Sequence, residues 1–272
     1  MTSTRARRSA LWIALTAVPA ALAACTASDR PTEEARPTPA AAVTAALRTV
    51  ERATGQAESA RVRSTTSMGS ALSMKAEGAL AWSDGLTGTM KITYTGGTTA
   101  ETMRRLGTTS MEARYLPDAY YARMGDTFAE KTDGKHWIKY VYDDLKHLAG
   151  SAGADLADQM RATAPHTSVK LLLSSADVRK VGEETVRGER TTHYSGTVQG
   201  EGAATQTVEI WVDDRNLLVK KVEKGRTATG RLTQTAYYSD YGVKTAVEKP
   251  PAGDTADFKE LLKMRGGLGG TS

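Results

Sequence analysis

The sequence predicts an α+β fold built on one large antiparallel sheet of about nine to eleven strands. From Ser59 onward, apolar residues recur at every second position in short runs, as expected for strands with one buried face. Turn signals between neighbouring runs favour hairpin connections and therefore antiparallel pairing. Helical spacing is confined to the start of the body, to residues 143–175 and to a short stretch near the end.

Residues 1–24 have the organisation of a secretory leader. Arg5, Arg7 and Arg8 precede a mostly apolar run over residues 10–21, and the first nine residues contain no acid. That run is shorter than the roughly 20 apolar residues that a spanning helix needs. We therefore expect the leader to be removed on export.

The leader ends at Leu22-Ala23-Ala24-Cys25, and Cys25 is the single cysteine of the chain. This segment resembles the bacterial lipobox, which implies that a diacylglyceryl group is attached to the Cys25 thiol and that Cys25 becomes the mature N-terminus. The protein would then be anchored in the cell membrane at its extracytoplasmic face. The alternative is an incidental cysteine beside an ordinary signal-peptidase site.

The charge of the body argues against nucleic-acid binding. The formal net charge is +5, but without the three leader arginines 33 basic residues face 31 acidic ones. A nearly neutral body offers no electrostatic footprint for nucleic acid. With its one cysteine acylated, the body would have neither a disulfide nor thiol chemistry.

The body is expected to be one domain, residues 39–263, joined to the anchor by a flexible linker over residues 25–38 and followed by a disordered tail over 264–272. Its first helix is well marked. Thr38 can cap it, Pro39 suits its first position, and residues 43, 47 and 50 are apolar at helical spacing, with Gly55 at the end.

The strands follow in order. Alternating residues from Leu72 to Trp82 share one face, and the turn at residues 83–85 leads into a returning strand. Gly96-Gly97 reads as a loop. Further strands are predicted around residues 111–115, 120–124 and 137–140. After helices within residues 143–175, strands return at about 178–186, 191–198, 207–212, 218–222 and 232–238, and a short helix is predicted at 256–262.

No catalytic or metal motif is apparent, so the sequence predicts neither a catalytic residue nor a cofactor. The four histidines lack the close spacing of metal-ligand pairs. Pairs of acids occur where turns or helix starts select them in any case. These pairs are Asp143-Asp144, Glu183-Glu184 and Asp213-Asp214. A hydrolase that uses such carboxylates is the third hypothesis for the function.

Three later segments resemble the LppX/LprG-type lipoproteins of actinobacteria. They are Gly188 with Thr192-His193-Tyr194-Ser195-Gly196, then Trp211-Val212-Asp213 with Leu217 or Leu218 and Lys220, and finally Tyr238-Ser239-Asp240-Tyr241-Gly242 with Val247 and Pro250-Pro251. The resemblance spans about residues 39–262. It implies a half-barrel of antiparallel strands wrapped over helices, similar to the LolA/LolB carriers, with a cavity for acyl chains and no catalytic residues.

The leading hypothesis is therefore a lipid-anchored, noncatalytic protein that binds or carries the acyl chains of a lipid or lipoglycan. The methionine-rich apolar face would form the cavity wall, because methionine adapts to flexible chains. The predicted wall residues are Leu72, Met74, Leu80, Met90, Ile92, Met111, Tyr120, Ile138, Ile210 and Leu232. The alternative is an envelope sensory or scaffolding lipoprotein with a filled core, which would bind another protein through an exposed patch near Tyr120-Tyr121 or Tyr237-Tyr238.

Overall fold

The computed structural model describes residues 38–148, 163–199, 205–227 and 229–267, which all fall in one compact unit spanning residues 37–272. Cys25, with the predicted leader and almost all of the linker, lies outside the described residues. So does the part of the predicted helical region, residues 143–175, that spans residues 149–162.

Six α-helices are described. Thr38 caps α1, where its Oγ1 accepts a hydrogen bond from the backbone N–H of Ala41 at 3.3 Å, as the sequence predicts. The helices are α1 (Pro39–Gln56), α2 (Gly97–Arg105), α3 (Asp126–Ala129), α4 (Tyr142–Leu148), α5 (Pro165–Leu173) and α6 (Phe258–Gly267). A 3-10 turn, Ala252–Asp254, precedes the last strand.

The described residues form a single sheet of twelve strands, one more than the upper end of the predicted range. In chain order they are β1 (Ser59–Met68), β2 (Leu72–Ala81), β3 (Thr87–Gly96), β4 (Ser110–Tyr115), β5 (Ala119–Arg123), β6 (Trp137–Val141), β7 (Arg179–Val186), β8 (Glu189–Gln199), β9 (Thr205–Val212), β10 (Leu218–Thr227), β11 (Gly230–Ser239) and β12 (Thr255–Asp257).

The sheet consists of two antiparallel meanders joined side by side. The strand order is β12-β6-β5-β4-β3-β2-β1-β11-β10-β9-β8-β7, so β1 pairs with β11 and joins the first meander, β1 to β6, to the second, β7 to β11. The short β12 adds to β6 as the parallel pair. The sheet is open, with β12 and β7 at its edges, and the predicted fold class is confirmed.

One face of this sheet, called here the inner face, packs against the helices. α5 contacts β8, β9 and β10, and α1 packs against α5. Leu47 and Val50 of α1 and Val169 and Leu172 of α5 join Ile210 and other inner-face residues in the main core. Each such side chain contributes roughly 1.5–3 kcal/mol when fully buried. The opposite, outer face carries a smaller cluster with Trp211 and Tyr237.

Two elements differ from the sequence-based expectation. Residues 97–105 form α2 instead of a loop, and tertiary contacts hold its start, because the N–H groups of Thr98 and Thr99 donate to Ser70 O and Ala71 O at 3.1 and 3.0 Å. At the other end, the helix expected at 256–262 begins only at Phe258, since residues 255–257 pair with β6. It extends to Gly267, into the predicted tail.

No helix among the described residues combines the length and the apolar character needed to cross a membrane.

Candidate functional site: the inner face of the sheet

The strand register places all ten predicted wall residues on the inner face. For example, Met90 lies opposite Gly78 on β2 and Ala113 on β4, and Leu232 lies opposite Met68 on β1. Six of the ten are buried and four are half-buried. The buried residues are Leu80, Met90, Ile92, Tyr120, Ile138 and Ile210, and the half-buried residues are Leu72, Met74, Met111 and Leu232.

The half-buried residues lie on strands other than those that α5 contacts, and α2 contacts β2 and β3. α5 lies on β8 to β10, whereas Leu72, Met74 and Met111 belong to β2 and β4. In the register, Met68 lies between Leu72 and Leu232 on neighbouring strands, which makes a continuous apolar row across three strands at one end of the sheet. Flexible thioethers there can accommodate an apolar ligand of variable shape.

A cluster of tyrosines lies on the inner face of β4, β5 and β6, where the register places Tyr115 level with Leu80. The ring centroids of Tyr115 and Tyr120 are 5.1 Å apart, those of Tyr120 and Tyr140 are 5.8 Å apart, and Phe258 of α6 packs at 4.7 Å from Tyr140. Such edge-on and tilted pairs add to the stability that apolar burial gives. The Tyr94 hydroxyl donates to Met111 Sδ at 3.5 Å, a contact that links the cluster to the methionines.

Burial is the main electrostatic influence on these phenols. It raises the pKa of Tyr140 to about 12 and raises the pKa values of Tyr115 and Tyr120 above the ordinary range, with neighbouring tyrosines adding to the effect. All three are therefore neutral at physiological pH. Among the described residues, the hydroxyls of Tyr115 and Tyr120 have no hydrogen-bond partner.

The inner face also contains a buried ion pair on β10, which the sequence-based reasoning missed. Lys221 Nζ lies 2.9 Å from Glu223 Oε1 and donates to Ser168 Oγ of α5 at 2.9 Å. Burial acts to lower the pKa of Lys221, but Tyr238 and the Glu223 carboxylate outweigh it, so the pKa is raised and the ammonium stays charged. Next to the pair, Gln234 Nε2 donates to Thr66 Oγ1 at 3.4 Å.

A cavity of about 230 Å³ lies at the end of the sheet where the β2–β3 and β4–β5 turns meet the starts of α4 and α5. None of the ten predicted wall residues lines it. Its lining comprises Trp82, Gly85, Leu86, Pro117, Tyr142, Ala164, His166 and Thr167. Burial lowers the pKa of His166, so its imidazole is neutral, and its Nδ1 is buried without a hydrogen-bond partner among the described residues.

Several of the acids and histidines noted in the sequence are used in local contacts. On the outer face, Glu184 accepts from Trp211 Nε1 at 2.9 Å and lies 3.0 Å from His193 Nδ1. The Asp213 carboxylate forms an ion pair with Arg215, with Oδ2 2.9 Å from Nη2. The Asp144 carboxylate forms an ion pair with Lys259, with Oδ1 2.8 Å from Nζ. Within the described ranges, no three His, Cys, Asp or Glu side chains are grouped so that they could hold a metal ion.

Relatives of known sequence establish the family. A Streptomyces coelicolor protein named "Putative lipoprotein SCO4650" is 64% identical over 286 aligned residues, which cover 98% of this chain and 100% of that protein. The chain belongs to the family of this Streptomyces lipoprotein. A second member, an uncharacterized 31.2 kDa protein of Streptomyces griseus, is 47% identical over 253 residues, covering 84% of this chain and 83% of that protein. No family model matches the sequence.

Solved structures confirm the fold of this family member. LprF from Mycobacterium bovis superposes with a TM-score of 0.51 at 13% identity, over 78% of this chain and 98% of that chain. The Mycobacterium tuberculosis lipoprotein LppX gives a TM-score of 0.51 at 17% identity, over 76% and 98%. The predicted resemblance to LppX/LprG-type lipoproteins is therefore confirmed, and at these identities the likeness concerns the fold.

Proposed function

We propose that this protein is anchored through lipid at Cys25 on the extracytoplasmic face of the cell membrane and binds the acyl chains of a lipid or lipoglycan, without catalysis. The observation that carries the proposal is the half-buried apolar row of Met68, Leu72 and Leu232. It continues into Met74 and Met111, and the Tyr94 hydroxyl lies 3.5 Å from Met111 Sδ. The names of the relatives and the fold shared with LppX support it.

The chemistry of this surface suits an amphiphile's chains. Each methylene transferred from water to an apolar surface contributes roughly 0.8 kcal/mol, so a chain of ordinary length gains enough to bind if the surface can enclose it. The tyrosine hydroxyls can donate to ester or hydroxyl oxygens near the start of such a chain. The charged groups near this surface, Lys221 and Glu223, neutralise each other, which favours a binding role over acid–base catalysis.

Native mass spectrometry of the full chain, released from membranes in a mild detergent, tests the proposal. We expect masses of protein with copurified lipid. Met74→Lys places a charge on the half-buried wall and should abolish the lipid mass, because an ammonium on an apolar wall must remain solvated. Val181→Lys on the edge strand β7 is the matched control, since the Val181 side chain is 50% exposed. A lipid-free parent protein, or equal lipid loss in both variants, would contradict the proposal.

A second candidate is a lipoprotein with a filled core that binds another protein. It is favoured by the small size of the described cavity, about 230 Å³, and by the six predicted wall residues that are buried. In the aromatic patches that it requires, Tyr120, Tyr121 and Tyr238 are buried and Tyr237 is half-buried. A lipid-free parent that crosslinks to one envelope protein in cells would favour this candidate.

A further inference from the structure

A cationic cleft lies on the outer face of the sheet, at the end where the β10–β11 turn is located. Its volume is about 410 Å³. Thr205, Lys224, Gly225, Arg226, Arg231 and Thr233 line it. It is on the opposite side of the sheet from the proposed acyl-chain surface.

The two arginines of the cleft lie close enough for their positive charges to repel each other. Arg226 and Arg231 are directly opposite each other in the β10–β11 register, both exposed. Residues in this relation have Cβ atoms about 4.5–5.5 Å apart, and like charges there are destabilising. An anion bound between the two guanidinium groups would offset this repulsion.

Among the described residues, no acidic side chain pairs with these two arginines. Lys224, the third cation, is held by Glu209 at 2.8 Å. Neither Arg226 nor Arg231 forms an ion pair with any of the residues that the structure describes. The described residues of the cleft therefore carry a net positive charge, with two guanidinium groups that form no ion pair among them, and the hydroxyls of Thr205 and Thr233 add neutral donors.

We propose that this cleft binds a phosphate-type oxyanion. An arginine guanidinium forms bidentate hydrogen bonds with phosphate oxygens, which a lysine ammonium cannot do. Threonine hydroxyls can donate further hydrogen bonds to the same anion. The position of the cleft also favours a phosphate ligand. Leu232, next to Arg231, points to the other face and belongs to the apolar row with Met68 and Leu72. This end of the sheet therefore presents cations on one side and apolar residues on the other. Such an arrangement suits contact with a phospholipid surface.

The oxyanion can come from a membrane phospholipid or from dissolved phosphate, and arginine footprinting separates the two sources. The full, lipid-anchored chain is treated with phenylglyoxal in four settings: dodecylmaltoside micelles with sodium chloride, the same micelles with inorganic phosphate at equal ionic strength, phosphatidylcholine vesicles, and phosphatidylcholine vesicles that contain phosphatidylglycerol. Peptide mass spectrometry then gives the labelling rate of each arginine.

We expect the labelling rates of Arg226 and Arg231 to be lower by a factor of roughly five or more in phosphatidylglycerol vesicles than in phosphatidylcholine vesicles. The attraction of one basic side chain to an anionic surface corresponds to about this factor. Arg104 and Arg105 in the last turn of α2 should change less. Protection by inorganic phosphate as well supports a site for phosphate in general, and protection by the vesicles alone supports a lipid headgroup. Equal labelling in all four settings overturns the proposal.

A charge-matched pair of variants completes the test. In phosphatidylglycerol vesicles, the parent should show protection of Lys224 from an amine-reactive label. The variant Arg226→Gln/Arg231→Gln should lose this protection. The variant Arg104→Gln/Arg105→Gln removes the same charge from the same end of the sheet and should keep the protection. Both variants should retain any copurified lipid, because the inner face is unchanged. If both lose the protection equally, the effect is one of net charge and the site is refuted.

Discussion

At the scale of single residues, the buried pair of Lys221 and Glu223 gives a clear stability prediction. Lys221→Met leaves the largely buried Glu223 carboxylate without its partner, so the free energy of unfolding should fall by about 3 kcal/mol or more. The double variant Lys221→Met/Glu223→Leu should recover most of that loss, because two apolar side chains replace a desolvated ion pair. Urea denaturation of the parent, both single variants and the double variant measures this cycle. A double variant as unstable as the sum of the single variants would contradict the account.

The sequence predicts the wall residues of the inner face but not this ion pair, and the physical reason lies in β10. The alternation of Leu72, Met74 and Leu80 along β2 reveals a buried face directly. In β10 a register irregularity between Leu218 and Lys220 shifts the alternation, so the charged Lys221 faces inward. A local pattern contains no information about such a shift, since the partner strand imposes it.

At the scale of elements, Asp177 ties the end of α5 to β8. Its carboxylate accepts hydrogen bonds from Ser175 Oγ and from the N–H of Thr197, both at 2.6 Å. These bonds, that of Ser175 first, lower the pKa of Asp177 from 3.8 to about 2. Because the pKa is lower in the folded state, the stabilisation is present above about pH 4 and is lost as the pH falls through the folded value.

Asp177→Asn should therefore destabilise the protein near neutral pH and have little effect close to pH 2. Urea denaturation over a pH series, with thermal unfolding as a second measurement, checks this. Asp84→Asn, an exposed residue of the β2–β3 turn, is the control and should change stability little at any pH. A difference between the parent and Asp177→Asn that stays constant with pH would show that the carboxylate has no such role.

The elements that the sequence does not predict are those that long-range contacts create. α2 has only Ala100 and Met103 as buried residues and several threonines, so its helical pattern is weak, and its first N–H groups bond to the β1–β2 connection. β12 is three residues long and exists because the chain returns to β6. The long alternating strands and the capped α1 could be predicted because local chemistry determines them.

At the scale of the whole molecule, we propose that lipid attachment at Cys25 determines where the protein works. Cys25→Ala should abolish incorporation of labelled fatty acid and move the protein from the membrane fraction to the soluble fraction, because two acyl chains give stable anchoring and none remain. Cell fractionation with radiolabelled fatty acid measures both effects. A Cys25→Ala variant that stays in the membrane fraction would show that another segment anchors the chain.

The most direct test of acyl-chain binding asks where a bound chain lies. A phospholipid with a photoactivatable diazirine near the end of one acyl chain is bound to the full protein and irradiated, and the crosslinked peptides are identified by mass spectrometry. We expect crosslinks at the half-buried inner-face residues of β2, β3 and β4, in particular Met74, Tyr94 and Met111. Crosslinks confined to the outer face, or none above the level of the Met74→Lys variant, would contradict the proposal that the inner face of this sheet holds acyl chains.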